Sequence, residues 1–244
     1  MRHRNPVTQG CPDLVWAPAA STLPGGHGQL HLWKWTHFES PQMPRADWDL
    51  LAPEEQERAR QGAQPGVRAR FVANRAWIRR ILGGYLHVAP EHLIFGCGPQ
   101  GKPYLTNPCA PVHFNFTHSG AVALLAVGWE SALGVDLEQV RPRQYLLAIA
   151  RRLFSPSQAQ YLETLPEPER LGAFYALWTG LEAGIKARGT GLFNQIPTSI
   201  VLGSFAMRRW HFIPHGGFIA CLAAEGSCPA PGNWRAYCPS SDWA

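Results

Sequence analysis

Twice along this chain a short, proline-started helical stretch precedes a longer one, and that repeat limits the folds open to it. In the first occurrence, "PRADWDLLAPEEQERARQ" has a helical start at Pro53 and Glu54, and "GVRARFVANRAWIRRILGGYL" sets Phe71, Ala76, Ile78, Ile81 and Leu82 along one broad apolar stripe. In the second, "LFSPSQAQYLETLPEPERLGAFYALWTGLEAGIKARG" repeats the arrangement at nearly the spacing between Leu51 and Phe71. Strand-like "QLHLWKW" precedes the first pair; "HLIF", "VHFNFTH", "AVALLAV" and "ALGVDLE" lie between the pairs; "TSIVLGSF", "RRWHFI" and "GGFIACLAA" follow the second. The expected fold is α+β in two similar halves, residues 1–132 and 133–244, with an irregular lead-in over 1–27 and an irregular tail over 225–244.

A chain of 244 residues, 45% of them hydrophobic, has enough material for a substantial core. Its longest strongly apolar run, 121–127, is far short of a membrane span, and "MRHRNP" is followed by no apolar signal segment, so a cytoplasmic, non-membrane protein is expected. Six cysteines show no C-x-x-C pair, which points to reduced thiols rather than a zinc site or disulfide framework. The formal charge of +5 favours acidic partners. No basic run exceeds two residues and no aromatic-interleaved basic ribbon is present, which argues against nucleic acid. Of the 22 basic residues only Lys34, Lys102 and Lys186 are lysines, and two of these fall in candidate site motifs.

Three stretches carry chemistry. "FGCGPQGKPYL" fits two phosphate-loop patterns through Gly96, Gly98, Gly101 and Lys102, but Pro103 stands where a magnesium-binding hydroxyl belongs and no helix follows. On these residues alone it reads as a glycine-rich turn between strands. In "ALGVDLEQV", Asp136 and Glu138 share one strand face while Val135 and Leu137 take the other. They are either ordinary solvent-facing acids or half of a magnesium site. In "WTGLEAGIKARG", Trp178, Glu182 and Lys186 are four apart on one helical stripe, ended by Gly189; a surface ion pair or a functional pair both satisfy that spacing. Gly180 and Gly184 each cost about 1 kcal/mol relative to Ala within a helix, so close approach of a ligand or neighbouring element is expected there.

Together these stretches resemble the Sfp-type 4'-phosphopantetheinyl transferases. The family's marks are a G-K-P segment, N-[ILF]-[ST]-H-S, G-[IV]-D-[IL]-E and W-[ST]-x-K-E-[AS]-x-x-K; this chain has "GKPYL", "FNFTHS", "GVDLE" and "WTGLEAGIK" in the same order. The resemblance spans about Leu50 to Leu192. It implies two pseudo-symmetric halves with the ligand site in the cleft between them. Its implied substrates are coenzyme A and an apo acyl or peptidyl carrier protein of fatty-acid, polyketide or nonribosomal-peptide biosynthesis, and its implied cofactor is magnesium. Lys102, Thr117, His118 and Arg70, with Arg58 as a weaker candidate, are implied as contacts to the 3'-phosphate. Asp136, Glu138 and Glu182 are implied as metal ligands, Glu182 as the base that takes the serine proton, and Lys186 as the group against the phosphates. The expected unit is a monomer.

The chain departs from the family pattern at Leu181, where lysine usually precedes the helix glutamate, at Gly184, and at Gln158, where an acid is common. Leu181 supports the alternative of a catalytically impaired relative that still binds coenzyme A and a carrier. Arg188, seven residues on, returns to nearly the same helix face and is the candidate for replacing the missing charge. Arg151 and Arg152, ahead of Leu153 and Phe154, are the expected docking point for an acidic carrier helix.

Overall fold

The structure, a computed structural model, describes residues 14–20, 25–36, 43–62, 64–190, 207–226 and 228–240. The chain begins with β1 (Trp16–Pro18) and β2 (Leu30–Thr36), followed by α1 (Arg45–Asp49), α2 (Pro53–Arg60) and the long α3 (Pro65–Leu86). A hairpin of β3 (Ile94–Cys97) and β4 (Pro103–Asn107) leads to β5 (His113–Ser119), β6 (Val122–Gly128) and β7 (Leu133–Gln139). Then come α4 (Leu146–Leu153), α5 (Pro156–Thr164), α6 (Glu167–Arg188), β8 (Arg208–Phe212), β9 (Phe218–Ala224) and β10 (Trp234–Cys238). The mixture of helix and sheet agrees with the expected α+β class. The strand expected over "TSIVLGSF" lies outside the described residues.

Two sheets form the centre. The first runs β1-β10-β2-β6-β5 and the second β7-β9-β8. Alternation along the strands decides what each face meets. Leu30, Leu32, Leu124 and Ala126 of the first sheet pack on Val135, Leu137, Ala220 and Leu222 of the second, making one core between the sheets. The opposite face of the first sheet, with Trp33, Leu125 and Val127, packs on Ile78, Ile81 and Leu82 of α3. The outer face of the second, with Cys221 and Ala223, packs on Ala183 and Ala187 of α6. The layers are therefore helix, sheet, sheet, helix.

Two boundaries differ from the sequence expectation. The lead-in contains β1, and the tail expected to be irregular from Glu225 contains β10, which pairs in parallel with both β1 and β2 inside the first sheet. Five residues flanked by proline and glycine give little local signal, and a parallel partner from the far end of the chain gives none. Trp234 and Ala236, both 5% exposed, nevertheless show the alternation of a strand with one buried face.

The approach of α6 to β7 sets up everything that follows. A Cβ built on Gly134 would lie 2.1 Å from Ala183 O and 2.3 Å from Ala187 N, so the helix backbone rests directly on the strand backbone. Gly180 and Gly184 of α6 face the other neighbour: a Cβ on Gly180 would meet His211 Nε2 at 3.2 Å, and one on Gly184 would meet Arg209 at 3.0 Å. Arg209 Nε donates to Gly180 O at 2.9 Å, and His211 Nε2 lies 2.7 Å from Ala176 O. A neighbouring strand, β8, thus accounts for the helix-interior glycines.

Gly134→Ala is expected to destabilise the protein by about 3 kcal/mol or more, because backbone atoms on a packed helix cannot yield locally. Gly172→Ala, with nothing within 4 Å of its built Cβ, should be neutral or stabilising by up to about 1 kcal/mol. Denaturant midpoints of the two variants measure the contrast.

Candidate active site

β7 is an edge strand of the second sheet, and its outward backbone groups are met by side chains instead of a ladder. Lys102 Nζ donates to Leu133 O at 3.0 Å, and Val135 N–H donates to Asn115 Oδ1 at 2.8 Å. Lys186 Nζ lies 3.4 Å from Val135 O, and Gln139 N–H donates to Ser119 Oγ at 3.1 Å. Asn115, Thr117 and Ser119 project from the same face of β5, so the first sheet is stitched to the second along this edge.

On the face of β7 toward α6, Asp136 is 4% exposed and Glu138 half-buried. Lys186, one helical turn beyond Glu182, places Nζ 2.6 Å from Asp136 Oδ1 and 3.2 Å from Thr117 Oγ1. Thr117 Oγ1 also donates to Asp136 Oδ1 at 3.2 Å, and Ser119 Oγ donates to Glu138 Oε2 at 3.0 Å. The Trp178 side chain, a turn before Glu182, lies near Glu138 and works against the rise of its pKa. Asp136 Oδ2 is buried with no hydrogen-bond partner. Among the described residues, no group of three His, Cys, Asp or Glu side chains is arranged to hold a metal ion by itself.

Burial pushes all three carboxyls above the ordinary range. For Asp136 the Lys186 ammonium opposes the shift; for Glu138 the Asp136 charge adds to it. Glu182 is pushed up to about 7 by burial, then by Asp136 and Glu138, with Lys186 acting in the other direction. The structure therefore holds several acids near one ammonium. It is short of positive charge.

A second, cationic group lies at the end of β5. Arg70, on the first turns of α3, donates from Nη1 to Gly120 O at 3.2 Å. The His118 pKa is lowered by burial, by Arg70 and by Lys186, so this imidazole and the two cations belong to one neighbourhood. His118 points to the opposite side of β5 from Thr117, beside the Phe116 ring. Arg58 is exposed, with its guanidinium 5.5 Å from the Phe71 ring centroid, adjacent in sequence to Arg70.

Lys102 and Thr117 are placed differently from the implied phosphate contacts. Lys102 donates to Leu133 O and Ala187 O, bracing the last turn of α6, and burial lowers its pKa to about 8. It neighbours His113, five residues and roughly 17 Å along β5 from His118. The glycine-rich segment before it is a hairpin turn: Gly98 N–H donates to Lys102 O, Gly101 N–H donates to Gly98 O, and Gly101 has φ +79°. Thr117 is committed to Asp136 and Lys186.

The family departures are also explained by packing. Leu181, 8% exposed, packs in a cluster with Ala150, Phe154 and Phe174, beneath α4 and α5. Arg188, the candidate for replacing the missing charge, pairs with Glu225. Gln158 caps α5: its side chain accepts from Ser155 N–H, and its N–H donates to Ser155 Oγ. Arg151 pairs with Glu163 at 2.8 Å, while Arg152 is exposed. Arg143 lies 5.0 Å over the Trp178 ring. Sequence reasoning passed over Asn115 and Ser119, although both alternate with Phe114, Phe116 and His118 in a pattern that marks a polar strand face.

The family described as the 4'-phosphopantetheinyl transferase superfamily matches residues 132–223, which hold β7, α6 and the acids. The 4'-phosphopantetheinyl transferase HetI of Nostoc sp. is 36% identical over 233 residues, covering 91% of this chain and 98% of its own. A putative 4'-phosphopantetheinyl transferase of Synechocystis sp. is 34% identical over 169 residues, 69% of this chain and 68% of its own. A 4'-phosphopantetheinyl transferase of Bacillus subtilis is 36% identical over 120 residues, 49% of each chain.

Glu182→Gln is expected to stabilise the metal-free protein at pH 8 and to change it little below pH 4.5. An acid whose pKa rises from 4.5 to about 7 on folding is protonated in both states at low pH, and opposes folding fully only above 7. The expected gain at pH 8 is about 1–3 kcal/mol. Thermal melts of both proteins across that range, in chelator, read it out; an equal gain at all pH values contradicts the assignment.

Proposed function

Because the chain belongs to the 4'-phosphopantetheinyl transferase superfamily, we propose that it moves the 4'-phosphopantetheine arm of coenzyme A to a serine of an apo acyl or peptidyl carrier protein, releasing 3',5'-ADP. The observation that carries this reading is the meeting of Asp136 and Glu138 with Glu182 and Lys186 where α6 rests on β7. We read α3 on the first sheet and α6 on the second as two pseudo-symmetric halves, divided near residue 132, with coenzyme A between them. β10 returns from the second part of the chain to the first sheet.

The acids fit magnesium in kind. They offer hard carboxylate oxygens, and the partnerless, buried Asp136 Oδ2 is a polar atom that a cation would satisfy. An ion of this type takes one or two carboxylates and fills its shell with water and substrate phosphates, so no three-acid cage is required. When bound, magnesium would neutralise charge on the pyrophosphate.

The residues of the chain then divide the work. The serine oxygen bonds to the phosphorus that carries the pantetheine arm while the bond from that phosphorus to 3',5'-ADP breaks. Glu182 takes the serine proton, directly or through water, as the bond to phosphorus forms. Lys186 supplies positive charge to the leaving phosphate. Arg70 and His118 hold the 3'-phosphate, with Arg58 further out. Lys102 acts as a brace for α6 rather than as a phosphate contact.

Asp136→Ala and Glu182→Ala are each expected to lower release of 3',5'-ADP by about a hundredfold or more while leaving a cooperative thermal transition. Near-normal turnover in either variant contradicts the proposed chemistry. His118→Ala should raise the KM for coenzyme A and narrow its advantage over 3'-dephospho-coenzyme A. Lys102→Met should lower thermal stability and keep that advantage. If Lys102→Met loses discrimination as His118→Ala does, the lysine is a phosphate contact after all.

A further inference from the structure

We infer that Thr117 and Ser119 are positioning residues for the acid pair, Thr117 clamping Asp136 and Ser119 clamping Glu138, so that chosen carboxylate oxygens are presented to a divalent cation. The inference rests on the metal reading above. It assigns to Thr117 a different task from contacting the 3'-phosphate, and to Ser119 a task that neither the motif pattern nor the expected site residues gave it.

The geometry is specific at each end. Thr117 Oγ1 donates to Asp136 Oδ1, and the same oxygen atom of Asp136 receives the Lys186 ammonium. Both donors converge on Oδ1, and Oδ2 is left buried without a partner. A hydroxyl has one proton, and Thr117 spends it on Asp136 while its lone pairs face Lys186. Thr117 is 6% exposed, so its rotamer is fixed by packing as well as by these bonds.

Ser119 is held from the other side. Its Oγ accepts the Gln139 N–H and donates to Glu138 Oε2, so the backbone of β7 itself orients the hydroxyl toward the adjacent carboxylate. The repeat of two residues along both strands lets one polar face serve both acids: residue 117 meets 136 and residue 119 meets 138. Groups that orient ligating carboxylates in this way commonly change cation affinity by about 10–100-fold when removed.

Binding of Mn2+ to the ligand-free full chain, followed by electron paramagnetic resonance, tests the inference without catalysis. Ser119→Ala and Thr117→Val should each weaken Mn2+ binding about tenfold or more. Ser119→Thr and Thr117→Ser, which keep the hydroxyl, should stay near the parent. The ratio of KM values for coenzyme A and 3'-dephospho-coenzyme A should be unchanged in Thr117→Val. Mn2+ affinity within twofold of the parent in both hydroxyl-deleted variants overturns the inference, and a collapsed substrate ratio in Thr117→Val returns that residue to the phosphate. Asp136→Ala separates the two levels. If it loses Mn2+ while the hydroxyl-deleted variants keep it, only the positioning roles fail; if it too keeps Mn2+, the metal reading fails and takes this inference with it. Should Thr117→Val not fold, the more accessible Ser119 carries the test alone.

Discussion

The structure depends on how the open edge of β7 is satisfied. An edge strand presents unpaired N–H and C=O groups, and a buried one must find partners or bear the cost of desolvation. Here Lys102, Asn115, Lys186 and Ser119 reach that edge. Had β5 paired with β7 through backbone bonds, the two sheets would be continuous here. The side-chain seam keeps them as separate sheets and places the Thr117 and Ser119 hydroxyls and the Lys186 ammonium beside Asp136 and Glu138.

The same arrangement is unfavourable for stability taken alone. Asp136 and part of Lys186 are withdrawn from water, and Glu138 and Glu182 add negative charge to the neighbourhood. Desolvation of such groups is repaid only when charge and hydrogen bonding are complete, and Asp136 Oδ2 is not satisfied. Contacts elsewhere hold the acids in place: the backbone approach at Gly134, the apolar cluster around Leu181, and β8 clasping the glycines of α6. A functional site that strains against its surroundings in this manner is expected where activity and stability compete.

Much of this was legible in the sequence, for identifiable reasons. The 3.6-residue stripe of α3, the end of α6 at Gly189 with φ +69°, and the opposed faces of Val135 and Asp136 all follow from local periodicity or glycine chemistry. The contacts of Lys102 were not legible, because a motif fixes where a residue lies along the chain and not that its ammonium reaches the carbonyls of Leu133 and Ala187. Thr117 and His118 are adjacent in one motif, yet a strand sends them to opposite faces. β10 escaped because parallel pairing between distant segments leaves no local trace, and Ser119 because its partner, Glu138, is set by the register of two sheets that share no backbone bonds. At Leu181 the departure from the family pattern is met by packing in the cluster beneath α4 and α5.

The most direct measurement is the intact mass of apo carrier proteins incubated with this chain and coenzyme A, with magnesium and in chelator. The account predicts that at least one carrier gains the mass of a single phosphopantetheine arm, on its serine, in magnesium and not in chelator. A folded protein that modifies no carrier from fatty-acid, polyketide or nonribosomal-peptide pathways in magnesium, or one that works equally well in chelator, would contradict it.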